Sequence, residues 1–327
     1  MRSWPSPLLL LCLCACRTSL LPPNRLDTAG DRDPGEQGPY GVSILTDVHA
    51  RLAGQNVIFD VYLPQSAPPA PIVVVSHGFS NGRADMSDWG KQLGSWGFVT
   101  VIPSWPHTDG LYAEANGESA VALLDWIQAQ DGDSGGPLHG KLEGKVDGSR
   151  RGAVGHSFGG QVVLLAAELD PRIGVVVALD PVDGPFVNVA LHAAQKIHGK
   201  LAVLLRADPS ICNLNGSDQV ALFDALTGPR LMAQVAHASH CDPAQPGSWP
   251  CNIACGPTSP ERARIFRRYT TAALLWGLDG KTAFQPYVDG TTLSADRGIA
   301  GFQSHLDPLP PKAPPLAPPP VTPQSSR

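Results

Sequence analysis

The stretch Arg151-Gly152-Ala153-Val154-Gly155-His156-Ser157-Phe158-Gly159-Gly160, followed by Gln161-Val162-Val163-Leu164-Leu165-Ala166-Ala167, leaves this chain few ways to fold. It reads as a short buried strand, a sharp turn at Ser157, and a helix that opens on small residues. A serine between two glycines in that setting occupies a strained turn, so its Oγ projects beyond the end of the strand. Gly155 and Gly159 let strand and helix approach closely. The start of the helix aims backbone N–H groups and partial positive charge at the space above the serine. The G-x-S-x-G spacing alone is a weak signal, because both residue types are common. Its weight comes from its surroundings.

Those surroundings alternate strands with helices. Gly41 to Leu45 and Val57 to Leu63 read as a pair of edge strands, the second ended by Pro64. Ile72-Val73-Val74-Val75 is a β-branched run of the kind buried on both faces. Asp88 to Gly97 reads as a short helix, Phe98 to Ile102 as a strand, and Ser119 to Gln130 as a helix through Val121, Leu124 and Ile127. Strands follow at Ile173 to Leu179, Leu201 to Leu205 and Leu231 to Ala236, with a helix at Ser217 to Leu226. Ser259-Pro260-Glu261 is an N-cap with proline at the first helical position, opening a helix that stops at Gly277. This order predicts an α/β fold with a mostly parallel central sheet and helices on both faces. Hydrophobic residues make up 43% of the 327 and charged ones only 16%, enough for one sizeable core. The net charge of -5 supplies no basic surface and excludes nucleic acid as a partner.

The ends read differently. Residues 1–15 carry Met1-Arg2 and the run Leu8-Leu9-Leu10-Leu11-Cys12-Leu13, too short to span a bilayer as a permanent helix. Leu13-Cys14-Ala15-Cys16 resembles a bacterial lipoprotein signal, which implies cleavage before Cys16 and lipidation of that thiol; an ordinary secretory signal is the alternative. Either places the mature chain outside the cytoplasm, lipid-anchored to a membrane or secreted. Residues 16–39 then form a tether, 40–302 the folded domain and 303–327 a Pro-rich tail. Four cysteines remain for an oxidising compartment, Cys212, Cys241, Cys251 and Cys255, and an even number suggests two disulfides in one of three pairings. The preferred pairing is Cys212 with Cys241 and Cys251 with Cys255. A four-cysteine metal site lacks the C-x-x-C spacing.

Nucleophilic chemistry needs a nucleophile, a base within reach, an acid that holds the base, and donors for a developing oxyanion. Ser157 is the nucleophile. His240, in the loop after the last strand, is the base; His237, nearer the strand end, reads as a second choice or a buried structural histidine. Two strand ends offer the acid, Asp180 and Asp208, and the residues alone leave both open. Asp170, Asp183 and Asp242 read as loop or cap carboxylates. The backbone N–H groups of Phe158 and of Phe79, in His77-Gly78-Phe79, are the oxyanion donors. No cofactor or metal is called for. Gly132-Asp133-Ser134-Gly135-Gly136-Pro137 looks like the active-serine segment of trypsin-type proteases. It lacks their upstream histidine setting and reads as a surface loop.

Together these residues resemble the α/β-hydrolase superfamily. Gly155-His156-Ser157-Phe158-Gly159-Gly160 with Ala178-Leu179-Asp180 is similar to plasma-type platelet-activating-factor acetylhydrolases. His77-Gly78-Phe79 with Asp180-Pro181-Val182-Asp183-Gly184 is similar to chlorophyllases. Gly97-Phe98-Val99, Gly144-Lys145-Val146-Asp147 and Ser239-His240 are similar to cutinase-like polyester hydrolases, whose aromatic clamp residue is replaced here by Val182. The first two resemblances imply Asp180 as the acid and the third implies Asp208; two against one favours Asp180. The third also implies a disulfide between the Asp208 and His240 loops, which suits Cys212 with Cys241. The implied function is an exported serine esterase acting on a small or lipid-like ester as a monomer. The alternatives are a non-catalytic lipoprotein that binds a ligand or partner, and an acyltransferase using the same residues.

Overall fold

The computed structural model describes residues 32–133, 135–184 and 188–306. The elements run β1 (Val42–Leu52), β2 (Gln55–Pro64), β3 (Ala70–Ser76), α1 (Ser87–Ser95), β4 (Val99–Ser104), α2 (Ala113–Gln130), β5 (Val146–His156), α3 (Phe158–Leu169) and β6 (Ile173–Leu179). They continue with α4 (Val189–Lys196), β7 (Leu201–Arg206), α5 (Ser217–Ala225), β8 (Arg230–Val235), α6 (Trp249–Cys255), α7 (Pro260–Gly277), α8 (Thr291–Ala295) and β9 (Ile299–His305). The sheet order is β1-β2-β4-β3-β5-β6-β7-β8-β9. The strands β4, β3, β5, β6, β7 and β8 pair in parallel, and antiparallel pairs close both edges. This is the α/β-hydrolase fold that the serine turn implied.

Apolar runs explain the middle of the sheet. Every residue of β3, Ala70 to Ser76, is buried, because helices cover both faces of a parallel strand. One core lies on the side of α2, α3, α4 and α5 and includes Ala120, Leu124, Val163, Ala193 and Phe223. The other lies under α1 and α7 and includes Trp89, Leu93, Phe266, Tyr269 and Leu274. With both faces covered, open space for chemistry is left beyond the carboxyl ends of the parallel strands. Ser157, Asp180, Asp208 and His240 all follow such ends.

Three expectations need correction. Residues 32–39, read above as tether, are part of the packed domain. The buried Gln92 donates through Nε2 to the carbonyls of Pro34 (2.7 Å) and Glu36 (2.9 Å), and the Trp96 indole N–H donates to Glu36 O at 2.8 Å. Arg268 grips the Asp33 carboxylate with two hydrogen bonds, at 2.8 and 2.7 Å. Pro, Gly and Asp satisfy a loop composition whether the loop is packed or not, so composition misled here. The tail boundary also moves. Phe302 to His305 belong to β9, which pairs antiparallel with β8 from Arg230↔His305 to Val235↔Ile299. Thirdly, α4, α6 and α8 have no counterpart in the expectations above. The proposed signal segment, Cys16, residues 16–31, Ser134 and residues 307–327 lie outside the described residues.

A chain beginning at Tyr40 instead of Arg32 loses these polar contacts, each worth roughly 1 kcal/mol net. We expect it to be less stable by about 5 kcal/mol in urea unfolding. Equal midpoints would return residues 32–39 to the role of a loose leader.

Candidate active site

Ser157 stands between β5 and α3 at φ 55° and ψ -120°, a backbone state few side chains adopt. Its N–H donates to Leu179 O at 3.0 Å, anchoring the turn to the neighbouring strand. The flanking glycines are required by contact. A Cβ on Gly155 would lie 2.0 Å from Gly159 O, and one on Gly159 would lie 2.4 Å from Ser76 O. Strand, turn and helix can close this tightly only without those carbons.

The structure brings Ser157, His240 and Asp180 together. His240 Nε2 lies 2.9 Å from Ser157 Oγ, and His240 Nδ1 lies 2.6 Å from Asp180 Oδ2. A carboxylate on the Nδ1 side fixes the tautomer: Nδ1–H donates to Asp180, leaving Nε2 free to accept the Ser157 hydroxyl proton. All three residues are buried, Asp180 completely. Asp208 is elsewhere. Its carboxylate accepts from Gln234 Nε2 at 2.9 Å and faces His237 Nδ1 at 4.0 Å. His237, read above as a buried structural histidine or second base, has a side chain 93% exposed. Asp170, Asp183 and Asp242 sit in ion pairs and caps: Asp183 accepts from the N–H groups of Ala190 and Leu191 at the start of α4, and Asp242 from Ser239, Ser259 and Arg262.

Sequence reasoning missed the residues that hold this set in place. Asn213, fully buried, donates through Nδ2 to Asp180 Oδ2 at 3.0 Å and to Asp208 O at 3.0 Å. The N–H of Ala207 donates to Asp180 Oδ1 at 2.9 Å. Nothing local marks Asn213; it meets Asp180 from thirty-three residues away. His156 Nε2 lies 2.7 Å from His240 O, so Nε2–H is the donor and Nδ1 carries no proton. That bond ties the main chain of the base to the residue beside the nucleophile. Burial pushes the His156 imidazole down to about 3, with the nearby His240 ring adding to the fall, so it stays neutral.

A second buried histidine shapes the turn that carries Phe79. The N–H of Trp105 donates to His77 Nε2 at 3.0 Å, so His77 carries its proton on Nδ1 and donates it to Gly78 O at 2.9 Å. Burial lowers the pKa of His77, which keeps this arrangement neutral. The turn from Gly78 to Asn81, closed by Asn81 N–H to Gly78 O, contains Phe79, whose side chain is exposed. Phe158 opens α3, so its N–H has no acceptor within the helix. Two surface recesses, one beside β1 and one beside β8 and β9, have linings that include none of these residues.

The disulfides join differently from the expectation. Cys212 pairs with Cys255, and Cys241 with Cys251. Cys251 and Cys255 stand at i and i+4 of α6, where Cβ atoms are about 5–6 Å apart, beyond the about 3.5–4.5 Å that a bridge needs. Each therefore bridges outward, Cys251 to the residue after His240 and Cys255 to the residue before Asn213. The two bridges fit an oxidising, extracellular setting. No helix among the described residues is long and apolar enough to cross a membrane.

Residues 35–193, a little under half of the chain, match the PET hydrolase-like family model. The chain is 28% identical over 147 residues to a bis(hydroxyethyl) terephthalate hydrolase of Streptomyces coelicolor, a match covering 44% of this chain and 44% of that protein. The chain thus spans under half the length of this curated relative. The family match takes in Phe79, Ser157 and Asp180 and ends before Asn213 and His240.

Two outcomes are expected of the supporting residues. Asn213→Leu removes a hydrogen bond to a charged oxygen, worth roughly 1.5–3 kcal/mol. It should slow labelling of Ser157 by a fluorophosphonate about 10- to 100-fold, and an unchanged rate would remove Asn213 from the site. His156 has a folded pKa of about 3 against an ordinary 6.5, so below pH 6.5 the unfolded chain takes up a proton that the folded one refuses. Its contribution to stability is therefore complete above pH 6.5 and declines as pH falls toward 3. His156→Asn should lose less urea stability than the parent between pH 7 and pH 4; parallel losses would contradict this.

Proposed function

We propose that this protein is an exported serine hydrolase of carboxylic esters. The observation that carries the reading is the continuous hydrogen-bonded path from Ser157 Oγ through His240 to Asp180. The family match and the ester hydrolase relative support the same chemistry. Ser157 Oγ attacks the ester carbonyl while His240 Nε2 takes its proton. Asp180 stabilises the imidazolium that forms. The carbonyl oxygen, now an oxyanion, receives hydrogen bonds from the N–H groups of Phe79 and Phe158. Collapse of the tetrahedral intermediate expels the alcohol, whose oxygen takes the proton from His240, and leaves an acyl group on Ser157. Water then repeats the sequence with His240 as base, releasing the acid and restoring Ser157.

The disulfides support export, and the sequence before residue 32 supports lipid attachment at Cys16 as part of the same proposal. The relative's name brings aromatic dicarboxylate esters among the substrates to be tried. Hydrolysis of p-nitrophenyl esters from acetyl to palmitoyl tests the reading. Ser157→Ala should abolish turnover with folding intact. Asp180→Asn should lower kcat by about 10³- to 10⁴-fold, as losing the acid of such a set does, while Asp208→Asn stays within about threefold. A larger loss at Asp208 would exchange the two carboxylates. Turnover that survives Ser157→Ala would remove the serine mechanism.

A further inference from the structure

The helix α6 has no buried residue, and no side chain caps its start. Trp249 is 73% exposed and Ile253 75%; four residues apart, they share one face of the helix. Helices in proteins are ordinarily held by the apolar face they bury. This one is held covalently at Cys251 and Cys255. Its first end is tied as well: Ser248 Oγ donates to Asn81 Oδ1 at 3.0 Å, and Gly247 N–H donates to Asp85 O at 3.3 Å. Asn81 closes the turn that carries Phe79, Cys241 follows His240, and Cys212 precedes Asn213. So α6 is fastened to the oxyanion turn, to the base loop and to the segment behind the acid, while its large apolar side chains face outward. That fastening holds the exposed apolar side chains of α6 in fixed relation to the turn of Phe79 and to the residues next to His240 and Asn213.

The chemistry assigns a side. His240 Nε2 delivers its proton to the leaving oxygen, so the alcohol portion departs along the His240 flank while the acyl portion stays on Ser157. We propose that Trp249 and Ile253 form the subsite for the alcohol portion, and that the preferred substrates are esters of alcohols bearing a flat or bulky apolar group. This rests on the serine-hydrolase reading above.

The test compares ethyl acetate, benzyl acetate and ethyl benzoate, which vary the alcohol and acyl portions separately. Trp249→Ala should lower kcat/KM for benzyl acetate about tenfold, mainly through KM, as removal of an apolar contact does. Ethyl acetate and ethyl benzoate should stay within about twofold, Trp249→Phe should restore most of the loss, and Ile253→Ala should show a smaller loss of the same selectivity. Equal losses on all three esters, a loss confined to ethyl benzoate, or no change with benzyl acetate would overturn the subsite while Ser157-dependent turnover of ethyl acetate stands. Absence of Ser157-dependent turnover in the parent protein would instead remove the hydrolase reading and this inference with it.

Discussion

A carboxylate sealed from water is tolerated only where donors surround it, and Asp180 gathers them from three directions. The end of β7 supplies the Ala207 N–H, the segment after it supplies Asn213, and the loop after β8 supplies His240. Each of these segments is bent to reach the charge. Asp180 itself sits at φ 42°, and Leu214 and Asn215 follow Asn213 in left-handed conformations. The two disulfides then fix the residues beside Asn213 and His240. The distorted backbone and the cross-links beside Asn213 and His240 help to keep a buried carboxylate bonded and aimed at a single imidazole.

Two neutral histidines do the corresponding work for the groups around the reaction centre. His156 holds the carbonyl of His240 next to Ser157, and His77 ties the turn of Phe79 to Trp105. Both are buried and burial lowers the pKa of each, so both stay neutral near neutral pH. The division is a physical one. Imidazoles kept dry act as fixed dipoles with one donor and one acceptor, and the imidazole bonded to a carboxylate is the one suited to carry charge.

How much of this was legible depended on how far each contact reaches along the chain. The turn at Ser157 could be read because its glycines, its strand and its helix are contiguous. The parallel sheet could be read from β-branched runs such as Ile72 to Val75. The choice between Asp180 and Asp208 could not be made from the residues, since both end strands, and only the resemblances leaned to Asp180. Asn213 had no signature, because its role exists only where distant segments meet. The disulfide pairing failed for a related reason: α6 was not read from the sequence, and helical geometry holds Cys251 and Cys255 apart. β9 was missed because Ile299-Ala-Gly-Phe-Gln-Ser-His alternates weakly and its pairing partner lies in β8, beyond three intervening helices.

The packed strap of residues 33–36 has a mechanical consequence. Whatever lies ahead of residue 32, a pull from that side is delivered first to Arg268, Gln92 and Trp96, on α7 and α1. The load is taken up across the helical layer of α1 and α7, and that layer is itself bonded to the loop of His240, through Trp89 Nε1–H to Pro243 O and through Arg262 to Asp242. A tug on the leading end is therefore shared between that seam and the loop that carries His240.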